Sequence, residues 1–464
     1  MMNKPTRVRN VTENPCNMCM PLGAIIPFKG IENTMVIIHG SQGCATYMRR
    51  HMAEHFNEPI DVASSSITEQ GTIYGGEVSL IKGLENLITL YDPKLIGILS
   101  TCLAETIGED LQRTAAAFMK EKGDQVDVQL VPVATPGYGG GHSEGYLQAL
   151  FSIVRQISQN TEKHDRINII VPHISPADIR EIKRILALMQ LKYTLLPDIS
   201  ETLDSPYSKP YRRIPGGGTP LAEIKAMPGA RATIEFLPTV EDELSPGEYL
   251  EKEYGVPLYR LPLPMGVEAC DELIRVLKTL NQQRVPEELK RERGRLLDAM
   301  VDSHKYNRDG RAAVFGEPET IYGLARVMAE NGILPAVFAT GSKSPNLNQM
   351  LQPLLAEYEE KPVILLDSDF ISIRDYCVKR NVNLAMGNSD GRFLTEREGI
   401  PLVRLGFPIH DRVGGQRLLS IGYNGTMMLL DRITNTLLEA KQRVYREQMH
   451  KNYYLPSTAA ANFK

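Results

Sequence analysis

Short apolar runs rich in β-branched residues alternate along the chain with amphipathic stretches of helical period. Near-continuous apolar strands are buried on both faces, and parallel neighbours need long crossovers between them. The pattern therefore predicts an α/β fold of parallel sheets covered by helices. The clearest unit starts at Arg311-Ala-Ala-Val-Phe-Gly-Glu-Pro, runs through Glu319-Thr-Ile-Tyr-Gly-Leu-Ala-Arg-Val-Met-Ala-Glu-Asn-Gly and re-enters a strand at Leu334-Pro-Ala-Val-Phe-Ala-Thr-Gly, with Gly332 placed to cap the helix. Two earlier units repeat it: Asn168-Ile-Ile-Val-Pro-His, a helix from Pro176 to Gln190 and Tyr193-Thr-Leu-Leu-Pro-Asp; and Met35-Val-Ile-Ile-His-Gly, a helix around Leu80 to Tyr91 and Leu95-Ile-Gly-Ile-Leu-Ser-Thr. Polar stretches from Gln159 to Asp165 and from Asn281 to Arg293 divide these units, the second as a charged helical connection. Three Rossmann-like domains are expected at 1–160, 161–290 and 291–464, and Met427 to Tyr445 reads as a long amphipathic helix packed on the third.

Composition narrows the class. The 464 residues exceed what one core fills, and 42% hydrophobic with 23% charged residues is the balance of a soluble globular protein. Met1-Met2-Asn3-Lys4-Pro5-Thr6-Arg7 leads into no apolar signal core, and no run approaches the ~18 apolar residues of a membrane span, so the chain is expected in the cytoplasm. A net charge of -4 without blocks of like charge offers nothing to nucleic acid or an anionic membrane.

Six cysteines are too few for a secreted disulfide scaffold, and a cysteine cluster in a reducing compartment points to metal binding or catalysis. Cys16, Cys19, Cys44 and Cys102 lie in the first quarter, whereas Cys270 and Cys377 stand alone and read as packing residues. Cys16 and Cys19 fall between Pro15 and Pro21, which predicts loop rather than helix. Cys44 follows the strand Met35 to Ile38 and Cys102 follows Leu95 to Leu99, so both should emerge on one rim, at the carboxyl ends of neighbouring parallel strands. Gly40 and Gly43 let backbone approach a bulky ligand there. Thiolates so placed are the soft ligands of iron–sulfur clusters, which usually take four or more. Cys16, a non-cysteine ligand or a second chain could complete the set.

The chain resembles the β subunit of nitrogenase component 1. The resemblance is carried in order by Asn14-Pro-x-x-x-Cys-x-Pro-Leu-Gly-Ala, His39-Gly-Ser-Gln-Gly-Cys-Ala-x-Tyr, His55-Phe-x-Glu-Pro-Ile, Ile73-x-Gly-Gly and Ser100-Thr-Cys-Leu-Ala-Glu-Thr-Ile-Gly-Glu-Asp. It continues through Leu203-Asp-Ser-Pro, Gly387-Asn-Ser-Asp-Gly, Leu405-Gly-Phe-Pro-Ile-His-Asp-Arg and Ile421-Gly-Tyr-Asn-Gly-Thr, covering essentially the whole sequence. It implies a three-domain subunit that pairs with a homologous α-type partner in an α2β2 heterotetramer. The interface would hold an eight-iron P-cluster, or in a simpler member a four-iron cluster. The positions matching the family's β-side ligands are Cys19, Cys44 and Cys102, with Cys16 an addition in a structural or supporting role. Electrons would arrive from an ATP-hydrolysing iron protein and pass to a metal cofactor in the α-type partner. The absence of a Walker A motif here fits that division.

Two departures matter. Gly137, in Thr135-Pro-Gly-Tyr-Gly-Gly-Gly-His, stands where the family has a serine that joins the oxidised cluster, and the molybdenum enzyme's long N-terminal extension is missing. These point to a nitrogenase-like reductase, with a methylthio-alkane or dinitrogen as substrate, ahead of a NifN-type scaffold for cofactor assembly. His39, His51 and His55 are expected to be hydrogen-bonding residues near the interface, and Arg49 and Arg50 a solvated helix face.

Overall fold

The computed structural model describes residues 16–454, in which strand and helix alternate through three parallel sheets. The first contains β1 (Thr34–His39), β2 (Ala63–Ser64), β3 (Leu95–Ser100) and β4 (Gln129–Val133) in the order β2-β1-β3-β4. The second contains β5 (Ile167–Ile170), β6 (Tyr193–Leu196), β7 (Thr233–Glu235) and β8 (Leu258–Arg260), ordered β6-β5-β7-β8. The third contains β9 (Arg311–Phe315), β10 (Leu334–Ala339), β11 (Val363–Leu365), β12 (Leu384–Gly387) and β13 (Leu402–Arg404), ordered β11-β10-β9-β12-β13. All neighbouring strands run parallel. β1, β3 and β5 are buried at every position, as strands covered on both faces must be.

In each sheet the chain adds strands to one side of its first strand and then crosses to the other. The switch falls between β1 and β3, between β5 and β7, and between β9 and β12. Such a point leaves a crevice at the carboxyl ends of the two strands, because their following segments diverge over opposite faces. In the first sheet the register sets His39 opposite Ser100, so the segments carrying Cys44 and Cys102 leave the sheet level with each other.

The predicted crossover at residues 311–341 is present, and Gly332 ends the helix Pro318–Asn331 in the left-handed conformation. The terminal helix is longer than the pattern predicted, Gly422–Tyr453. Leu429, Leu430, Ile433 and Leu437 are buried, and it pairs with the helix Glu287–Asn307, Thr434 Oγ1 donating to Asn307 Oδ1 at 2.9 Å. Among the described residues no helix is long and apolar enough to cross a membrane. Cys270 and Cys377 are buried, in line with their reading as packing residues.

The loop expected at Cys16 and Cys19 is present, but it stops at Cys19 instead of running past Pro21. Cys19 is the N-cap of the helix Met20–Lys29, with Pro21 in its first turn. Proline interrupts a helix interior but suits its start, where the missing N–H has no intrahelical partner to lose. Pro21 therefore opens this helix. The three sheets meet around a ring cluster centred on Phe407, whose ring lies 4.8 Å from His55, 4.7 Å from His173 and 5.8 Å from His142.

Candidate functional site

Cys19, Cys44 and Cys102 each sit at the start of a helix: Cys19 as N-cap, Cys44 in the first turn of Gln42–Phe56, and Cys102 as the first residue of the short helix Cys102–Thr106. Their segments are tied at the strand ends by Thr101 Oγ1, which donates to the His39 carbonyl at 3.1 Å. A Cβ on Gly40 would lie 2.3 Å from that hydroxyl, so only glycine permits this approach. Cys19 comes from outside the sheet and pairs with Gly141 through an isolated antiparallel bridge.

Two of the sulfurs gather around Gly137. A Cβ there would lie 3.0 Å from Cys19 Sγ and 3.3 Å from Cys102 Sγ, and the Gly137 amide donates to Cys102 Sγ at 3.1 Å. Ser41 Oγ donates to Cys44 Sγ at 3.7 Å. Burial pushes the Cys19 thiol up to about 11, reinforced by the nearby charges of Cys102 and Cys44. Cys102 is exposed and the other two half-buried, and Cys19 and Gly137 line an opening of about 360 Å³.

Cys16 is elsewhere. It shares a buried cluster with Phe315 of β9 and Phe370 of the helix Phe370–Lys379, its amide donates to the Ser368 carbonyl at 3.0 Å, and burial drives its thiol far up. His39 bonds Ser65 Oγ at 2.9 Å and Glu109 Oε2 at 3.2 Å, and His55 Nδ1 accepts the Ile409 amide at 2.8 Å. Arg50 pairs with Glu54 along its own helix, and Arg49 Nε donates to the Ile60 carbonyl.

The helix Met20–Lys29 lies directly on His142–Ile157. A Cβ on Gly23 would come within 1.7 Å of the His142 carbonyl oxygen, and one on Gly145 within 1.9 Å of that of Met20. This contact sets how far Cys19 stands from Gly137. Gly145→Ala is expected to part the helices, destabilise the fold by about 1–3 kcal/mol and lower the metal content. Thermal unfolding and iron analysis check it; a variant that melts with the parent shows that the contact yields cheaply.

Residues 19–438 match the family described as nitrogenase component 1 type oxidoreductase. The chain is 35% identical over 438 residues to the nitrogenase molybdenum-iron protein beta chain of Clostridium pasteurianum, covering 94% of this chain and 95% of that one. It is also 35% identical over 459 residues to the beta chain of Methanothermobacter marburgensis, covering 97% and 98%. The solved structure of nitrogenase Cp1 at pH 6.5 superposes with a TM-score of 0.91 at 32% identity, covering 98% of each chain. The chain belongs to the nitrogenase component 1 family. It is a β-type oxidoreductase subunit of a nitrogenase-like complex. In that family the β chain joins an α chain in an α2β2 tetramer, the P-cluster iron–sulfur centre lies at their interface, and an iron protein reduces the assembly.

Three half-buried or exposed thiols with N–H and O–H donors aimed at two of them fit such a group. The donors stabilise thiolate charge, and helix starts add unpaired amides. Among the described residues no three His, Cys, Asp or Glu side chains could hold a single metal ion. The thiols thus form a rim rather than a mononuclear cage.

Behind this rim, the nitrogenase-type fold holds groups that the sequence did not disclose. His142 Nδ1 accepts the Met18 amide at 3.0 Å, so its proton sits on Nε2, which donates to Glu317 Oε1 at 3.0 Å. Glu319, in the first turn of Pro318–Asn331, is 5% exposed and is pushed up to about 7, first by burial and also by the charge of Glu235. A carboxyl raised in the fold favours the protonated native state. Its stabilisation is full below pH 4.5 and is lost as pH climbs through 7. Glu319→Gln is expected to melt higher than the parent at pH 8, by an equivalent of roughly 2–3 kcal/mol, and near it at pH 5. Equal melting at both pH values would refute the buried charge.

Proposed function

We propose that this chain is the electron-relay subunit of a nitrogenase-like reductase, with Cys19, Cys44 and Cys102 holding its half of a P-type cluster shared with the α-type partner. The observation that carries this is the gathering of Cys19 and Cys102 around Gly137, with Cys44 close enough for its charge to be felt at Cys19. When bound, such a cluster supplies one-electron transfer between the iron protein and a metal cofactor in the partner. The residues of this chain keep thiolates available and oriented. The Gly137 amide and Ser41 hydroxyl each donate to a sulfur, the Met20 amide favours the Cys19 thiolate, and the first turn of Gln42–Phe56 places backbone amides beside Cys44. Cys16 ties the start of the 16–19 segment to the third sheet's elements and is no ligand in this reading.

The substrate, a methylthio-alkane or dinitrogen, would be selected in the partner. Gly137 favours one further reading, because this chain brings no side-chain oxygen to the site at that position. A NifN-type scaffold carrying a four-iron cluster has no need of one. Purified complex mixed with its iron protein, ATP and reductant separates the two: a reductase consumes reductant and releases product, whereas a scaffold stays silent and only passes on a cofactor.

A further inference from the structure

The three sheets end on one shared void. His142 beyond β4, His173 beyond β5, Thr239 beyond β7 and Glu317 beyond β9 line a cavity of about 170 Å³. One water needs a small fraction of that space. Carboxyl ends of parallel strands, meeting at a junction, are where α/β proteins take small molecules. Glu144 and Lys343 stand between this void and the opening beside Cys19, lining both.

Its chemistry is lopsided. Leu147, Leu237, Val240 and Leu244 form apolar walls, while Glu144, Glu241, Glu317 and Glu319 face a single ammonium, that of Lys343. Glu144 is satisfied, accepting the amides of Gly141 and Lys343 at 2.8 and 3.0 Å. Glu317 is not: Oε1 is held by His142 Nε2, and the buried Oε2, which lies on the Gly406 side, has no hydrogen-bond partner among the described residues. Glu319 takes both of its Thr239 hydrogen bonds on Oε1 and lines the same cavity. A buried acid without a counter-charge costs stability unless something pairs with it.

We infer that this cavity binds a small aliphatic amine, with the ammonium on Glu319, Glu317 close behind it, and the alkyl chain along Leu147, Leu237, Val240 and Leu244. An alcohol of equal length would gain the walls but leave the carboxylates unpaired, and an anion would be repelled. This site is independent of the cysteine rim and of what the rim holds.

The test titrates the purified complex at pH 8 with n-butylammonium chloride and, separately, with butan-1-ol into the millimolar range, followed by saturation-transfer NMR. The amine should bind at least about tenfold more tightly than the alcohol. Glu319→Gln, which keeps the Thr239 contacts and should fold at least as well as the parent, should bring the two within about twofold. Leu147→Trp should fill the void and abolish both. Equal affinities in the parent, a preference that survives Glu319→Gln, or undiminished amine binding in Leu147→Trp would each overturn the assignment.

Discussion

Complex carrying Cys19→Ala is expected to lose iron and to drop more than about tenfold in ATP-dependent turnover. Removing a mere hydrogen-bond partner of a metal ligand already costs 10–100-fold, and a ligand should cost no less. Alanine keeps the Cβ that packs at the edge of the core and removes the sulfur. The backbone of Cys19 caps the helix Met20–Lys29 without any side-chain bond, so the helix should survive. Iron and sulfide analysis with electron paramagnetic resonance reads the outcome. A complex with parental iron content and signal would remove Cys19 from the ligand set, and Cys16→Ala provides the contrast: it should leave iron in place and lower the melting temperature, since Cys16 packs against Phe315 and Phe370.

Phe407→Ala should be the most damaging single truncation in the core, costing about 3–5 kcal/mol. Phe407 is 2% exposed and is the ring on which the sheets converge: His55 and Phe56 come from the first sheet's elements, and His173 follows β5. The void left by alanine would be lined by imidazoles. Burial holds His55 down at about 3, and His173 is pushed low for the same reason, so both are neutral in the fold. Water entering the void would ease their protonation in the fold, so the gap to the parent should narrow at acid pH, where the parent must keep both imidazoles neutral. Urea unfolding at pH 7 measures the first effect; a cost under about 1 kcal/mol would mean that the junction collapses around the gap.

The sheets were legible because β1, β3 and β9 carry unbroken apolar runs and β5 is broken only by Asn168, with spacings that suit parallel crossovers. Cys44 and Cys102 were legible for the same reason, as residues just past such strands. The helix at Cys19 was not, since Pro21 reads as a breaker until its place in the first turn is known. Gly137 drew notice only as a missing serine, yet its amide bonds Cys102. Backbone donors leave no trace in residue type. Glu317 and Glu319 look like ordinary helix-start acids, because the burial that sets them apart comes from residues 142–147 and 237–244, distant in sequence.

The glycine contact between Met20–Lys29 and His142–Ile157 fixes a timetable. All three cysteines leave the ribosome early, but Cys19 has nowhere to stand until Gly145 exists, and the amide of Met18 waits for His142. The neighbouring segment is pinned still later, when Ser368 arrives to take the Cys16 amide. From Cys19 to Ser368 is roughly 350 residues, on the order of tens of seconds of synthesis, during which the segment just before Cys19 is not yet fixed. Iron delivered to a nascent chain would meet loose cysteines instead of a shaped rim. If the rim takes a cluster as proposed, loading should follow the arrival of Gly145 and His142, and the early thiols would need protection from metal and oxidant until then.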